Sequence, residues 1–356
     1  MRREGTLLFL FALFAGAAGC DDARTSVADP GPVTLMTLNV ASGAGDRFRT
    51  AAARSSQGSF IARSGVEIVG MQEVDLQTDR SGNMDVASSI ARGMGPGFDA
   101  CTFADPAEPH MSADGTRLAR CVAGTVVFGT GFRGDDRFSA GPDGTPTGIL
   151  DVDVSLNPTG ADRGADAFYG NALVVRSPWE VLGAYTVALP IDGALPGAPP
   201  ELLDQLAASA PHAGAIAALA VHNVAVRTHR GVEPRSALVA RVRRPGTRAR
   251  TIIVTHLEAY GTPQLRNAQL DAVIAIAHAE QRGEQGRRVL VIGDFNMTPN
   301  LAAPRLRPAG FVYAAPNGST DIGQIWVDAA LTTDLAALVP TEGASDHGVA
   351  AMATVH

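Results

Sequence analysis

A run that is hydrophobic on both faces belongs inside a sheet covered on both sides, and Val289-Leu290-Val291-Ile292 is such a run. It lies in the stretch RVLVIGDFNMTP, Arg288 to Pro299. Gly293 is expected to let the chain turn out of the sheet, placing Asp294 and Asn296 at the strand's mouth. A carboxylate and a carboxamide two residues apart can face one spot, where they can hold a hydrated metal ion or aim a water molecule. Alone, the segment also reads as a strand end followed by an Asx-turn and Pro299.

Other segments end in the same way. VTLMTLNV stops at Asn39, VEIVGMQEVD carries the chain to Gln72, Glu73 and Asp75, FYGNALVVRS contains Asn171, and RTIIVTHLEAYG brings His256 to the end of an apolar run. IGQIWVDAAL is one more strand, and Ser345-Asp346-His347 lead into the apolar GVAAMATV. Between them, Arg47 to Arg63 has helix composition and stops at Gly65, as a C-cap glycine would. Thr262-Pro263 opens a second helix, in which Leu270, Val273, Ile274 and Ala277 keep the spacing of a face that packs on a sheet.

Three regions differ in kind. Residues 99–168, rich in Gly, Asp, Pro and Thr, read as an extended loop-and-hairpin insertion stapled by Cys101 and Cys121. The span Arg227 to Arg250 holds eight Arg against one acidic residue, Glu233, and reads as the solvated edge of a hairpin around Arg244-Pro245-Gly246, with a phosphate-facing role as the second option. At the N-terminus, Arg2 and Arg3 precede an apolar run from Thr6 to Gly19 that is too short to span a bilayer but fits a signal-peptide core.

Ala17-Ala18-Gly19-Cys20 resembles the bacterial lipobox, whose Cys is lipidated and becomes the first residue of the mature protein; an ordinary secretory signal cut nearby is the alternative. The expectation is a signal peptide over residues 1–20, a polar tether over 21–32 and one folded domain over 33–356. Such a chain would be an exported cell-envelope lipoprotein, held to a membrane through Cys20, with no protein partner and monomeric. Export places Cys101 and Cys121 in an oxidising compartment, where they can pair with each other. His110, His212, His222, His229, His278 and His356 have no partner at metal-ligand spacing and read as surface or core residues.

In order, Asn39, Gln72-Glu73, Gly170-Asn171, Thr255-His256, Gly293-Asp294-Phe295-Asn296 and Ser345-Asp346-His347 form a series that resembles the endonuclease/exonuclease/phosphatase superfamily. The resemblance implies an α/β fold: a four-layer α/β/β/α sandwich of two mixed sheets, deoxyribonuclease-like, with the site where the strand ends converge. It implies Glu73 as principal ligand of Mg²⁺ (or Mn²⁺) with Asn39 beside it, Asp294 and Asn296 orienting the attacking water and a phosphate oxygen, and His347, held by Asp346, as a phosphate-contacting or base residue. His256 matches the histidine of the nuclease and sphingomyelinase branches, and Asn171 and Arg235 fall on the substrate side. Asp75 through Asp85 and Glu233 to Leu238 look like segments of a bacterial metal-dependent hydrolase branch, while Arg266 and Gln269 read as ties between helix and loops. One departure stands out: the family's Ile-Asp-x-Ile, whose Asp supports a catalytic His, reads Ile322-Gly323-Gln324-Ile325 here, and Asp321 is the residue that could substitute.

The activity implied is metal-dependent hydrolysis of a phosphate ester by an activated water, with a phosphodiester favoured by His256. A formal charge of −7 counts against a nuclease, and 5% aromatic residues against a membrane-inserting hairpin of the sphingomyelinase type. A non-catalytic surface binding protein that keeps the fold is the alternative of a different class.

Overall fold

The computed structural model describes residues 28–41, 48, 50–78, 81, 84–103, 116–133, 168–190, 235–259, 262–283, 287–314 and 321–356. The signal-peptide and lipobox readings, and most of the expected tether, lie outside these residues.

The strands are β1 (Val33–Asn39), β2 (Ile68–Leu76), β3 (Cys101–Phe103), β4 (Thr116–Cys121), β5 (Gly124–Arg133), β6 (Phe168–Arg176) and β7 (Glu180–Ala188). They continue with β8 (Ser236–Arg243), β9 (Arg250–His256), β10 (Arg288–Asp294), β11 (Phe311–Tyr313), β12 (Gly323–Asp328), β13 (Thr333–Pro340) and β14 (Val349–Val355). An eight-stranded sheet has the order β13-β14-β1-β2-β6-β5-β4-β3, and a six-stranded sheet the order β11-β12-β10-β9-β8-β7. Both are mixed: β1 is parallel to β2 and β9 to β10, while the other pairs are antiparallel.

Three apolar layers explain why the central strands are hydrophobic on both faces. Leu35, Ile68, Leu173, Leu238, Val254 and Ile292 fill the space between the sheets. The outward face of the first sheet packs Met36, Leu38 and Met71 against Phe60, Ile61 and Ile90 of α1 (Ala51–Arg63) and α2 (Val86–Gly93). Behind the second sheet, Ile253, Val289 and Val291 meet Leu270, Val273 and Ile276 of α3 (Pro263–Gly283), with Ala302 and Leu306 of α4 (Pro299–Leu306). The result is the expected α/β/β/α sandwich of two mixed sheets. The sheets approach so closely that a Cβ on Gly70 would stand 2.6 Å from Ile292 Cδ1.

Local signals behave as the sequence suggests. Thr50 caps α1 through Ala53 N, Gly65 follows its end at φ +69°, and Thr262 Oγ1 accepts from Leu265 N at the start of α3. Asp85 caps α2 through Ser88 N at 2.9 Å and also binds Arg117. Arg266 donates to Ala259 O and Gln269 bonds both Glu258 N and Pro190 O, so this pair ties α3 to the loops. His278 lies 3.0 Å from Ala309 O and His356 2.7 Å from Asp334, ordinary structural contacts. Among the described residues no helix is long and apolar enough to cross a membrane.

Four expectations need correction. The stretch 99–168 is not simply an insertion: β3, β4 and β5 belong to the first sheet, where antiparallel pairing to β6 stabilises a segment whose glycines and polar residues blur the alternating pattern. The pairing expected within it does hold, since Cys101 and Cys121 are bonded across the β3–β4 pair, directly opposite in register. The arginine-rich hairpin is largely paired: Arg250 is 1% exposed and binds Asp29, Arg241 binds Glu280, and Arg244 binds Glu67 while stacking on Trp179. The last residues of the tether are docked rather than free, since Ala28 bridges to Thr247 and Asp29 takes Arg250. Finally, Gly293 does not turn the chain out: β10 continues through Asp294, and a Cβ at Gly293 would lie 1.9 Å from Thr255 O, so glycine serves the close approach of β10 to β9.

Candidate active site

The parallel pairs fix where the chemistry gathers. Register sets Asn39 beside Gln72 and Asp294 beside His256, so both sheets release their polar termini at the same end. The buried interior changes character toward that end. Apolar side chains give way to Thr37, Gln72, Asn171, Ser236, His256 and Asp294, each 5% exposed or less.

The Asn39 amide is the centre of the cluster. Its Nδ2 donates to Glu73 Oε1 at 2.8 Å and to Asp294 Oδ2 at 3.2 Å, and lies 3.4 Å from His347 Nε2. Its Oδ1 accepts from Ala41 N at 2.9 Å, which fixes the amide's orientation. Four residues remote in sequence therefore converge on one point. Glu73 lies within a register shift of β2 against β6, between Met71 and Val74, and has φ +55°; Asn296 has φ +47°. Such backbone is uncommon for residues other than glycine and is held in place by surrounding structure.

Asp294 is 1% exposed. Its Oδ1 accepts from Asn296 N at 2.9 Å, while its Oδ2 faces Asn39, His347 Nε2 at 3.7 Å and His256 Nε2 at 3.9 Å. Burial raises its pKa above the ordinary carboxylate range, against the opposing pull of His347, the Asn296 amide, Asn39 and Arg235. Asn296 Nδ2 donates to Leu257 O at 2.7 Å, which leaves its Oδ1 as the end that can accept from a water.

His256 is held by an arginine rather than by a carboxylate. Arg235 NH1 lies 3.0 Å from Nδ1 and 3.4 Å from Nε2, and Arg235 Nε is 3.5 Å from Glu258. A guanidinium only donates, and Nδ1 is the nearer ring nitrogen, so we assign Nδ1 as the acceptor and the ring proton to Nε2, toward Asp294. Burial, followed by the charges of Arg235 and His347, pushes the His256 pKa well below the usual imidazole range. His256 is thus a neutral donor. Asp321, the residue that could have supported a catalytic histidine, places Oδ1 2.9 Å from Gly323 N at the end of β12.

His347 is positioned mainly through its backbone: its N–H donates to Ser345 Oγ, whose hydroxyl donates to Asn39 O, and its carbonyl accepts from Thr341 Oγ1. Asp346 Oδ1 stands 4.0 Å from His347 Nε2, too far to be the hydrogen-bonding support expected of it. Asn171, expected on the substrate side, is 2% exposed and spends Nδ2 on Ser236 O at 2.9 Å, tying the two sheets together; its Oδ1 is buried without a partner. Arg235, also expected there, is 3% exposed and acts within the cluster on His256 and Glu258. Glu258 escaped the sequence reading, although a carboxylate two residues after His256 in an otherwise apolar run was its available signal.

Among the described residues no three His, Cys, Asp or Glu side chains form a group able to hold a metal alone. Mg²⁺ does not demand such a cage, since it is commonly held by one or two carboxylates and several waters. Glu73 fits that donor set: partly exposed at the mouth, its carboxylate is aligned by the Asn39 N–H. Asn39, expected as a second ligand, presents its N–H there, with Oδ1 committed to Ala41.

Because His256 is buried neutral, the unfolded chain takes up a proton near the ordinary histidine pKa that the folded chain refuses. Stability should fall as pH drops below about 6.5, by up to about 1.4 kcal/mol per pH unit from this group, until the depressed folded pKa is reached. Urea unfolding at pH 7 and pH 5.5 should show this slope in the native chain. His256→Gln should show less of it, and an unchanged slope would remove the neutral-histidine assignment.

The sequence matches the model of the endonuclease/exonuclease/phosphatase family over residues 36–347. Among solved structures, an endonuclease/exonuclease/phosphatase from Beutenbergia cavernae DSM 12333 is 15% identical, with 91% of this chain and 71% of that chain covered and a TM-score of 0.51. A family protein from Bacteroides thetaiotaomicron is 11% identical, with 92% of this chain and 96% of that chain covered and a TM-score of 0.51. TDP2 from D. rerio, complexed with a single-strand DNA product, is 14% identical, with 92% and 99% covered and a TM-score of 0.47. No curated protein matches the chain. At these identities the structural likeness is one of fold.

Proposed function

This chain belongs to the endonuclease/exonuclease/phosphatase family, whose enzymes hydrolyse phosphoester bonds, and we propose that it is an Mg²⁺-dependent phosphodiesterase, exported and anchored to the cell envelope through a lipid on Cys20. The observation that carries the enzymatic reading is the Asn39 amide, which brings Glu73, Asp294 and His347 to one point at the open end of the sandwich.

Glu73 would hold Mg²⁺ beside the phosphate. When bound, the ion offsets charge on the phosphoryl oxygens. Asp294 takes the proton of the attacking water on Oδ2 as the water oxygen bonds to phosphorus and the ester P–O bond opposite it breaks, the departing oxygen taking its proton from solvent; its raised pKa makes Asp294 a better base than an exposed carboxylate. Asn296 Oδ1 accepts from the same water and helps set its line of attack. Asn39 keeps Glu73 and Asp294 in register by donating to both. His256 donates from Nε2 to an oxygen of the reacting group, and His347, 23% exposed, reaches the phosphate from the solvent side.

The reading is tested by hydrolysis of bis-p-nitrophenyl phosphate, p-nitrophenyl phosphate, DNA and phospholipid, with Mg²⁺ or Mn²⁺ present and after chelation. The diester should be cleaved faster than the monoester, and activity should vanish on chelation. Activity indifferent to chelator would overturn it in favour of a metal-independent site, and no hydrolysis of any of the four substrates in favour of a binding protein.

A further inference from the structure

The N-terminal segment is fastened to the end of the sandwich opposite the site. Ala28 bridges to Thr247, and its carbonyl accepts from Arg248 N at 2.9 Å. Asp29 Oδ1 accepts from Arg250 at 3.0 Å and from Gly31 N at 3.1 Å. Arg250 is itself 1% exposed and reaches Val355 O. These contacts surround the first residue of β9 and the last of β14, whereas His256 ends β9 at the mouth. From Ala28 the chain enters β1 at Val33 and arrives at Asn39 only after the full length of that strand.

We infer that this opposite end faces the membrane, so that an anchored chain turns its mouth to the aqueous phase and acts on water-borne phosphodiesters rather than on headgroups of the membrane that holds it. The inference rests on the lipid anchor at Cys20 proposed above; its further support is the length of chain and the point where it docks. Residues 21–27 separate Cys20 from Ala28. Fully extended, the eight Cα steps from Cys20 to Ala28 reach at most about 29 Å. β1 alone spans about 20 Å. Beyond the level of Asn39 the rim rises further, because β2 runs on to Leu76, paired there with Phe168 of β6, which adds about 10 Å. Bringing that rim down to the anchor would need about 30 Å of chain, which takes up the whole fully stretched length of the segment, whereas the docking end needs none of it.

The surface at the docking end is mixed, with Asp29 and Asp334 exposed beside basic and apolar residues. Arg243 and Arg248 are exposed on the β8–β9 turn, and Val122, at the tip of the β4–β5 turn, is 85% exposed. Register places that tip at the same end, since Gly124 pairs with Arg176, the last residue of β6. Arg243 is already paired with Glu180, so charge adds only modest attraction to anionic headgroups, and reach remains the deciding quantity.

The test uses the full-length lipidated chain in vesicles of phosphatidylethanolamine and phosphatidylglycerol, with a nitroxide attached at Arg248→Cys or at Asn300→Cys. Asn300 is exposed in the first turn of α4, beside the mouth and outside the catalytic set. Relaxation by nickel-chelating lipids should be severalfold stronger at position 248 than at 300. Equal or reversed relaxation would overturn the orientation, and so would failure of the native chain to float with vesicles. Neither readout needs catalysis: a chain that shows the expected label pattern yet hydrolyses nothing defeats the enzymatic reading and leaves the orientation standing. As a second measurement, the anchored chain and soluble Cys20→Ala should cleave bis-p-nitrophenyl phosphate at equal rates, whereas phospholipid of the anchoring vesicle should be spared. Cleavage of that phospholipid by the anchored chain would overturn the proposal.

Discussion

Asp294→Asn is expected to lower kcat by about 10²- to 10⁴-fold while leaving the fold intact, the scale of loss for a positioned base. The carboxamide keeps the shape and can still accept from Asn296 N, but it cannot take a proton from water. Because the buried native carboxylate is costly to ionise, the neutral replacement should not unfold the chain and could raise its stability. That separates loss of chemistry from loss of structure, and circular dichroism with steady-state kinetics reads both. Glu73→Gln should differ in kind, its deficit shrinking as Mg²⁺ is raised, since it weakens a ligand rather than a base. His256 supplies the internal control. Arg235 is its observed partner, so Arg235→Gln should resemble His256→Ala, with the double variant no worse than either single one. Asp321→Asn should resemble them only if its carboxylate, rather than Arg235, orients the ring. Near-normal kcat in Asp294→Asn would remove the mechanism.

Glu280→Ala should destabilise the protein by about 3–5 kcal/mol, the cost of removing one partner from a buried charge network. Glu280 belongs to α3 and is fully buried where that helix packs on the outward face of the second sheet. It accepts from Arg241 at 2.8 and 2.9 Å, from Tyr185 at 2.8 Å, from Thr251 at 2.9 Å and from Arg287 at 3.0 Å. Burial works to raise its pKa, but the hydrogen bonds from Arg241 and Tyr185, the Arg241 charge and Thr251 hold it below the ordinary value. Conversely, burial and then Glu280 push the Tyr185 hydroxyl far above its usual pKa. Deleting the carboxylate removes a charge partner of Arg287, 9% exposed, and leaves the hydroxyls of Tyr185 and Thr251 without this acceptor. Urea unfolding should show a lower midpoint at unchanged slope. Below that transition kcat should be unaffected, because Arg241 and Thr251 lie toward the end of the sheet away from the mouth. A midpoint near the native one would show that the network contributes little.

Much of the architecture could be read directly from local pattern. Val289 to Ile292 announce a strand covered on both faces, Thr262-Pro263 opens α3, and Gly65 closes α1, because apolar period and cap chemistry are properties of a few neighbouring residues. β3, β4 and β13 were not legible in this way: their residues do not alternate cleanly, and pairing with an already formed sheet supplies the stability that local propensity lacks.

The order of chemistry-bearing strand ends named Asn39, Glu73, His256, Asp294, Asn296 and His347, since each ends an apolar run, follows it directly or, for His347, leads into one. What each side chain does was decided only by folding. Register across β1 and β2 and across β9 and β10 brings residues 255 positions apart into hydrogen-bond contact, and no local pattern encodes which amide atom faces inward. Asn39 therefore proved to be a donor that aligns two carboxylates, Arg235 the partner that keeps His256 neutral, and Asn171 a tie between sheets. Residue types and their order are written in the chain. Distance, burial and the hydrogen-bonding role of each atom arise when the two sheets close on each other, because desolvation and the number of available partners are properties of the packed interior.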